Sequence, residues 1–318
     1  VAVIFEDQHL TYRELNTKAN QLAHYLQKLG VGPEARVGLC LERSLEMIVG
    51  MLGILKAGGA YVPIDPDYPQ DRLSYMLESA NAPVLITRDC LIPSTHLPNT
   101  KLVCLATDWA EIARNSDKNL APCSGSNQLF YVIYTSGSTG QPKGAGVFHR
   151  GFLNLLHWFN TEFSISANDR VLLVSSPSFD LTQKNIFATL IGGGELHLMP
   201  GVQHDPEQIA RIIAKQRITL MNCTPSAFYP LVERGEVAAY EMLRTLRVVF
   251  LGGEPISIPR LRPWLESNTC DCEIVNTYGP TECTDICASY RMNRQNLDAY
   301  SFVPIGRPIF NVQLVVLD

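Results

Sequence analysis

Short apolar runs alternate with amphipathic stretches along most of the chain. Thr11 and Glu14 have the spacing of a capping box, so we predict a helix that begins after Thr11 and ends at Gly30. A stripe at helical spacing supports it: Leu15, Ala19, Leu22, Leu26 and Leu29. A second helix is predicted through residues 45–55, ending at Gly58.

Strands are predicted where four apolar or mixed residues stand together between turn signals. They are expected at 37–40, 61–64, 83–86, 171–174, 195–198, 218–221, 248–251 and 273–276. The spacers between them have helical periodicity, as in 205–213. This alternation is typical of an α/β fold with mostly parallel sheets that are covered by helices on both faces.

The length predicts more than one packed unit, because 318 residues exceed a single typical core. The segment 115–127 is rich in Asn, Ser, Asp and Pro and is the expected connection. We therefore predict a first α/β subdomain at 1–120 and a second at 121–318, with a β-rich part beginning near 300–318.

Composition narrows the possible partners. The chain is 46% hydrophobic and 18% charged with a net charge of −5, and it has no concentrated patch of Lys and Arg. This argues against binding to nucleic acid or to an anionic membrane. No signal peptide and no apolar run of about 20 residues is seen, so a cytoplasmic location without a membrane partner is expected.

Nine scattered cysteines predict neither a disulfide framework nor a zinc site. Cys270-Asp-Cys272 and the pair Cys283 and Cys287 lack matching ligands at zinc-site spacing. His149 is interpreted as a structural hydrogen-bonding residue. The nine are therefore expected to be ordinary thiols.

The run Tyr131-Val-Ile-Tyr-Thr-Ser-Gly-Ser-Thr-Gly-Gln-Pro-Lys-Gly144 indicates a polyphosphate site. Glycines let backbone N–H groups approach an anion, hydroxyls add short donors, and Lys143 adds a mobile positive charge. Gln141 and Pro142 follow Gly140, which is not the pattern of a Walker loop. A flexible linker is the alternative, but the apolar lead-in favours a buried strand that ends in an ATP-binding loop.

Two further motifs add to this interpretation. In Asn276-Thr-Tyr-Gly-Pro-Thr-Glu282, an aromatic ring beside a Gly-Pro turn offers a flat face for a purine, and Asn276 can read an exocyclic amine. Gly253 is expected to admit the nucleotide where a side chain would clash. In Phe179-Asp180, a carboxylate that opens into a pocket needs a cationic or hydrogen-bonding partner, although a helix N-cap is the simpler alternative.

Together these motifs resemble the adenylate-forming (AMP-binding) enzymes, and specifically the adenylation domains of nonribosomal peptide synthetases. The resemblance also rests on Leu10-Thr-Tyr-Arg-Glu-Leu-Asn16, Leu55-Lys-Ala-Gly-Gly-Ala-Tyr-Val-Pro-Ile-Asp-Pro66 and Pro304-Ile-Gly-Arg-Pro-Ile309. It implies two stacked, mostly parallel sheet-and-helix subdomains of the large N-terminal domain of that family.

The resemblance implies a nucleotide site for ATP or AMP with Mg²⁺. It implies that Tyr278 stacks on adenine, Asn276 hydrogen-bonds it, Thr281 contacts the α-phosphate and Glu282 holds Mg²⁺. The catalytic residues would be Thr135, Lys143, Thr281 and Glu282. The full implied set is Thr135, Ser136, Gly137, Ser138, Thr139, Gly140, Lys143, Gly253, Glu254, Asn276, Thr277, Tyr278, Gly279, Thr281 and Glu282.

The resemblance also implies an amino-acid pocket in which Asp180 binds an α-ammonium group. Its lining would be Phe179, Asp180, Leu181, Lys184, Asn222, Phe250, Gly252, Thr277, Asp285 and Ile286. We hypothesise a polar substrate side chain, because buried polar groups without partners cost roughly 1–3 kcal/mol each. The alternative is that Lys184 and Asp285 pair with each other and leave an apolar remainder.

The implied reaction converts an α-amino acid and Mg-ATP to an aminoacyl adenylate and pyrophosphate. The implied partners are a peptidyl carrier protein with its phosphopantetheine thiol and the neighbouring synthetase domains. A stand-alone acyl- or aryl-CoA ligase and a non-catalytic relic module are the alternatives. The chain stops at Val315-Val-Leu-Asp318, before the later motifs of the family, so we expect it to adenylate weakly or not at all alone.

Overall fold

The computed structural model describes residues 1–88, 100–136, 141–201, 205–297 and 302–317. The chain forms two compact units, one of residues 1–153 with 176–179 and one of residues 154–175 with 180–318. The boundary predicted near residue 120 therefore differs from this division. The strand that begins at Leu129 still belongs to the sheet of the first unit.

The first unit contains a six-stranded sheet with the order β6-β5-β3-β4-β7-β8, in which only β8 is antiparallel to its neighbour. The antiparallel pair β1 with β2 opens the chain. The strands are β1 Val3–Phe5, β2 Gln8–Leu10, β3 Arg36–Cys40, β4 Ala60–Ile64, β5 Val84–Thr87, β6 Lys101–Cys104, β7 Leu129–Thr135 and β8 Lys143–Phe148. The helices are α1 Tyr12–Lys28, α2 Leu45–Ala57, α3 Gln70–Ala80 and α4 Leu105–Ile112.

Capping residues set the ends of the first two helices, and of these the capping box at Thr11 and the stop at Gly58 were predicted. Thr11 and Glu14 form a reciprocal capping box at the start of α1. At α2, the Ser44 hydroxyl accepts from the N–H of Met47, and Gly58 ends the helix at φ 96°. Glycine is favoured there because the left-handed region is strained for other residues.

The second unit contains seven strands in the order β15-β14-β13-β12-β11-β9-β10. The neighbours from β13 to β10 are parallel, while β14 and β15 are antiparallel additions. The strands are β9 Arg170–Leu173, β10 Glu195–Leu198, β11 Leu220–Cys223, β12 Val248–Gly252, β13 Glu273–Tyr278, β14 Ala288–Met292 and β15 Arg307–Pro308. The helices are α6 Asp180–Gly192, α7 Pro206–Gln216, α8 Pro225–Gly235 and α9 Ile258–Leu265, and α5 His149–Glu162 carries the boundary between the units.

The predicted α/β class with two mostly parallel sheets is confirmed. Differences are local: the strand predicted at 218–221 begins at Leu220, and β15 is the only strand described near the C-terminal end. The segment 115–127 was predicted to connect the two halves, but it lies within the first unit. Asn20 of α1 donates to the carbonyl of Asp117 at 2.6 Å and to Asn119 at 2.9 Å, which holds the segment beside that helix.

Cysteine pairing, metal binding and membrane crossing can each be compared with the described residues. The eight cysteines there form no disulfide, and Cys90 lies outside that part of the chain. Across the same ranges, no group of three or more His, Cys, Asp or Glu side chains is placed to hold a metal ion. None of the described helices combines the length and the apolar character that crossing a membrane requires.

Candidate functional site

The phosphate motif of the first unit is a hairpin loop between β7 and β8. Thr135 ends the buried strand β7 and pairs with Lys143, the first residue of β8. The Thr135 hydroxyl donates to the Lys143 carbonyl at 3.5 Å. We call residues 135–143 the phosphate hairpin; of its predicted binding residues, Gly137, Ser138, Thr139 and Gly140 lie outside the described part. The predicted buried strand before the loop is confirmed.

The base of the phosphate hairpin is held by its neighbours. The Tyr75 hydroxyl of α3 donates to the Pro142 carbonyl at 3.2 Å. A Cβ at Gly144 would lie 3.0 Å from a Val132 methyl and 3.2 Å from the Tyr134 ring, so the two strands approach closely there. Ser136 and Lys143 are exposed. The hairpin therefore presents a hydroxyl and a cation on a fixed base, which suits a polyanionic ligand.

The predicted adenine residues lie at the carboxyl end of β13 in the second unit. Tyr278 is the last residue of the strand and is 49% exposed. The Asn276 amide donates from Nδ2 to the Pro304 carbonyl at 2.8 Å. That bond fixes the orientation of the amide and leaves its oxygen as an acceptor, which is the group that an exocyclic amine requires.

The turn after Tyr278 is tightly packed. The Tyr278 carbonyl accepts from the backbone N–H of Cys287 at 2.8 Å. A Cβ at Gly279 would meet the Asp285 carbonyl at 2.3 Å and the Cys287 nitrogen at 2.8 Å, distances that real Cβ atoms do not reach. Gly279 is therefore required by the close approach of the returning chain, which brings residues 285–287 beside the end of β13.

The end of β12 lies beside that of β13. Gly252 has no room for a side chain, because a Cβ would lie 2.5 Å from the Thr277 hydroxyl oxygen, and that hydroxyl donates to the Leu251 carbonyl at 3.3 Å. Gly253 follows at φ 82°, where glycine is unstrained. Both carboxylate oxygens of Glu254 accept from Ser226, at 3.0 and 2.7 Å. The Glu254 side chain thus anchors the loop after β12 to the start of α8.

A hydrogen bond joins the second chemical motif to the third. Thr281 and Glu282 lie in the one-turn 3₁₀ helix Thr281–Cys283. The Thr281 hydroxyl donates to Oδ2 of Asp180 at 2.6 Å. The Glu282 carboxylate is exposed, and no hydrogen bond or ion pair is recorded for it among the described residues. This free carboxylate oxygen pair is the kind of ligand that Mg²⁺ prefers.

Asp180 is the first residue of α6, so the helix-terminal alternative also describes its position. Its Oδ1 accepts from the backbone N–H of Leu181 at 2.7 Å, and a carboxylate at this end of a helix is favoured by the helix dipole. Phe179, just before it, is 57% exposed and Leu181 is half-buried. Phe179 thus does not supply a buried wall.

A buried ion pair lies one turn further along α6. Lys184 donates from Nζ to Oδ2 of Asp285 at 2.7 Å and to the Leu181 carbonyl at 3.1 Å. The Lys184 side chain is 0% exposed and the Asp285 side chain 7%. Burial raises the pKa of Asp285 to about 6; the Lys184 charge offsets part of this rise, and the Asp180 charge adds to it.

Further polar contacts surround this pair. Asn222, at β11, donates to the Leu181 carbonyl at 3.3 Å. We call Asp180, Leu181, Lys184, Asn222 and Asp285 the α6 cluster. It brings together residues that are up to about 100 positions apart in sequence.

The remaining predicted pocket residues are apolar. Phe250 of β12 is buried with its ring centroid 4.7 Å from each of Phe159 and Phe163. Ile286 follows Asp285 and is 1% exposed. These two side chains are apolar and cannot donate or accept hydrogen bonds.

Three contributors were missed by sequence reasoning. Asn185 is buried and donates to the Leu181 carbonyl at 2.8 Å, Pro304 orients Asn276, and Thr284 stands at φ 67° in the turn before Asp285. The run 182–185 of four polar residues, all buried on α6, was a usable signal for Asn185. No sequence signal marks Pro304 as the partner of Asn276.

Comparison with known proteins gives concordant matches. A family model described as AMP-binding enzyme matches residues 1–318. The chain is 42% identical over 318 residues to part of a linear gramicidin synthase from Brevibacillus parabrevis and 39% identical over 324 residues to part of a mycosubtilin synthase from Bacillus subtilis. Each match covers all of this chain but only 6% and 12% of the two relatives, so the chain spans a small part of their length.

Solved structures that match the chain include parts of nonribosomal peptide synthetases. The AMPPNP-bound form of FmoA3, a nonribosomal peptide synthetase, matches 98% of this chain and 33% of its own with a TM-score of 0.89 and 31% identity. The N-terminal subdomain of NpsA from Klebsiella oxytoca, in complex with 3-hydroxybenzoyl-AMSN, matches 98% of this chain and 76% of its own with a TM-score of 0.83 and 26% identity. The resemblance stated from the sequence motifs is thus confirmed.

Proposed function

Because the chain belongs to the AMP-binding enzyme family, we propose that it activates an α-amino acid with Mg-ATP as an adenylation domain of a nonribosomal peptide synthetase. The products are an aminoacyl adenylate and pyrophosphate. The observation that carries this proposal is the Asp180 carboxylate, which stands at the start of α6 and accepts a 2.6 Å hydrogen bond from Thr281 of the nucleotide motif.

In the proposed reaction, a carboxylate oxygen of the amino acid attacks the α-phosphorus of ATP. An acyl O–P bond forms, the bond from the α-phosphorus to the bridging oxygen breaks, and its electron pair leaves with pyrophosphate. No protein nucleophile takes part, so the protein contributes positioning and electrostatic stabilisation of developing charge.

We propose a contact for each part of the substrate. Asp180 binds the α-ammonium group and Thr281 the α-phosphate. Tyr278 stacks on adenine, and the Asn276 amide oxygen accepts from its exocyclic amine. Thr135 and Lys143 of the phosphate hairpin are the proposed contacts of the polyphosphate.

The exposed Glu282 carboxylate would hold Mg²⁺, and its freedom from other partners among the described residues fits that role. A bound Mg²⁺ supplies positive charge that neutralises phosphate oxygens. The proposed downstream partner is the phosphopantetheine thiol of a peptidyl carrier protein, within a larger synthetase like those of the similar proteins.

The main alternative is an acyl- or aryl-acid ligase. NpsA, at 26% identity, is solved with a 3-hydroxybenzoyl ligand, so a similar nucleotide site also serves proteins that bind an aryl group. Asp180 favours the amino-acid proposal, because an aryl or fatty acid has no ammonium group to match a half-buried carboxylate.

An adenylate-analogue experiment tests the proposal on the 318-residue chain itself. The NpsA N-terminal subdomain is solved in complex with 3-hydroxybenzoyl-AMSN, and for this chain we choose acyl sulfamoyl-adenosines, whose binding is measured by calorimetry. We expect Asp180→Asn to weaken binding of the preferred aminoacyl analogue about tenfold to a hundredfold, because a charge-assisted hydrogen bond contributes about 1.5–3 kcal/mol.

The analogue of the corresponding deamino acid supplies the internal control, and Asp180→Asn is expected to leave its affinity unchanged. Asp271→Asn is the matched variant, since Asp271 is exposed and lies away from the motifs. Equal weakening of both analogues by Asp180→Asn would return Asp180 to a structural role and favour the acyl ligase.

A further inference from the structure

Two of the three charged residues of the α6 cluster neutralise each other. Lys184 and Asp285 form a buried ion pair with 2.7 Å between Nζ and Oδ2, so their charges cancel. Asp180 is the remaining charged member, and its half-buried carboxylate accepts only neutral donors, the Leu181 N–H and the Thr281 hydroxyl, among the described residues. Under the proposed function, the α-ammonium group of the substrate matches that remaining charge.

The substrate side chain therefore meets a site without net charge. A cationic or anionic side chain would bring an unmatched charge into buried surroundings, which carries a large desolvation cost. This argues against both lysine-like and glutamate-like substrates and leaves neutral side chains.

Hydrogen-bonding capacity divides the neutral side chains further. Asp285 uses Oδ2 for Lys184, and no bond to its Oδ1 is recorded among the described residues. Asp285 also retains 7% exposure, whereas Lys184 has none. A ligand can therefore reach the Asp285 carboxylate but not the Lys184 ammonium, and a carboxylate oxygen takes a donor.

Asp285 is held in place at a cost in backbone strain. Thr284 and Asp285 both have positive φ, 67° and 70°, a region that residues other than glycine seldom adopt. The Cys287 N–H to Tyr278 carbonyl bond and the absence of a side chain at Gly279 bring this turn against the end of β13. The strained turn directs the Asp285 side chain toward Lys184 on α6, since those two groups are in contact.

Lys184 is fixed equally firmly from the other side. The Leu181 carbonyl accepts from Lys184 at 3.1 Å, from Asn185 at 2.8 Å and from Asn222 at 3.3 Å. Three donors converging on one oxygen leave the ammonium little freedom to turn toward a ligand. Lys184 thus acts as a positioning residue that holds Asp285 and neutralises it.

We propose that Asp285, held and neutralised by Lys184, selects an α-amino acid whose uncharged side chain donates a hydrogen bond, an alcohol or a carboxamide. This inference rests on the proposed function and adds the substrate class to it. A pocket built to bond a donor discriminates strongly against an isostere without one, because its own acceptor is then left unpaired.

Isosteric pairs of aminoacyl sulfamoyl-adenosines test the inference directly in the unaltered chain. The pairs are threonyl against valyl, asparaginyl against leucyl, and glutaminyl against methionyl, with ornithyl and glutamyl analogues as charged competitors. We expect the tightest ligand to be a neutral donor that binds at least about tenfold more tightly than its apolar partner. Tightest binding by an apolar or a charged analogue would overturn the inference.

Charge-changing variants test the balance itself. Lys184→Met leaves the Asp285 charge unmatched, so the preference is expected to move toward the ornithyl analogue by about tenfold or more. Asp285→Asn leaves the Lys184 charge unmatched. The ligand preference of this variant is expected to move toward the glutamyl analogue. The double variant is neutral again and is expected to keep the preference for uncharged side chains.

Thermal unfolding of each variant is recorded beside its affinities, and the ranking in the unaltered chain stands even if a single variant does not fold. Folded single variants with an unchanged ranking would overturn the inference while the proposed function stands. Binding of a deamino acyl analogue and of no aminoacyl analogue would instead overturn the proposed function and the inference with it.

Discussion

The phosphate hairpin and the α6 cluster each contain a lysine, and the two lysines lie in opposite surroundings. In the hairpin, Lys143 is exposed, and no partner for its ammonium group is recorded among the described residues. In the cluster, Lys184 is completely buried and is bonded to Asp285 and to the Leu181 carbonyl. An exposed lysine can form an ion pair with an anionic ligand. A buried lysine that is already paired with a carboxylate leaves no net charge for a ligand to bind. We therefore propose different roles for the two lysines, binding for Lys143 and positioning for Lys184.

The largest effect is expected from breaking the buried pair. Lys184→Met leaves Asp285 buried without its partner, which costs about 3–5 kcal/mol in other buried pairs. Chemical denaturation should therefore show a loss of that size in the free energy of unfolding. Lys215→Met is the matched control, because Lys215 is exposed on α7, and it should change stability by less than about 0.5 kcal/mol.

The double variant Lys184→Met/Asp285→Asn sharpens this result. Removing both charges is expected to recover most of the lost stability, because no uncompensated charge remains. If the single lysine variant is as stable as the unaltered chain, the contrast between the two lysines fails.

The free lysine of the phosphate hairpin is expected to behave in the opposite way. Lys143→Ala should weaken ATP binding about tenfold to a hundredfold, because a hydrogen bond to a charged group contributes about 1.5–3 kcal/mol. The unfolding free energy should stay within about 0.5 kcal/mol of the unaltered chain. Calorimetric titration with ATP measures the first quantity and denaturation the second.

Lys118→Ala provides the comparison for that experiment, since Lys118 is exposed in the same unit and lies outside the motifs. Loss of ATP affinity in both variants would indicate general electrostatic attraction and not a specific contact of Lys143.

A steric change tests how strongly the turn after β13 depends on close packing. In Gly279→Ala, the added methyl group would stand 2.3 Å from the Asp285 carbonyl, so the turn must shift. We expect a loss of about 1–3 kcal/mol in unfolding free energy together with weaker adenylate-analogue binding. Gly125→Ala, where no atom lies within 4 Å of the added carbon, should have neither effect.

The smallest expected effect is on the pH dependence of stability. Burial raises the pKa of Asp285 to about 6, so in the folded state it holds its proton at pH values where an unfolded aspartate, with a pKa near 3.9, has lost it. The folded state therefore binds more protons between these two values. Its stabilisation from this group is complete below pH 4 and is lost as the pH rises through about 6.

We expect this component to be of the order of 2 kcal/mol, because about two pKa units separate the folded from the unfolded aspartate. It is measured as the difference between the unaltered chain and Asp285→Asn in denaturation from pH 4 to pH 7. Asp271→Asn should retain the pH dependence of the unaltered chain. A stability difference that increases with pH over this range would contradict the assigned direction.

Sequence predicted the fold and the contiguous motifs because their signals are local. The capping box of Thr11 and Glu14, the buried strand before the phosphate hairpin, and the alternation of strands and helices are all set by neighbouring residues. The Asn276-to-Glu282 motif was likewise visible as one run. The roles proposed for these residues in catalysis and binding remain predictions.

The pairings across the chain could not be predicted with the same certainty. Asp180 with Thr281 and Lys184 with Asp285 are each separated by 101 positions, so only the fold brings them together. The sequence left open whether Lys184 and Asp285 pair with each other or face a ligand. The 2.7 Å contact shows that Lys184 and Asp285 pair with each other. The unequal exposure of their side chains is the basis for the substrate proposal.

Amino-acid-dependent exchange of pyrophosphate into ATP tests the central claim most directly. A panel of α-amino acids is run beside the matching deamino acids with a C-terminally extended form of the chain, both unaltered and carrying Asp180→Asn, because the 318-residue chain alone is expected to adenylate weakly or not at all. The account predicts exchange with an amino acid that carries an uncharged donor side chain, less exchange in Asp180→Asn, and none with the deamino acids. Exchange that is supported equally by acids without an α-amino group would contradict it.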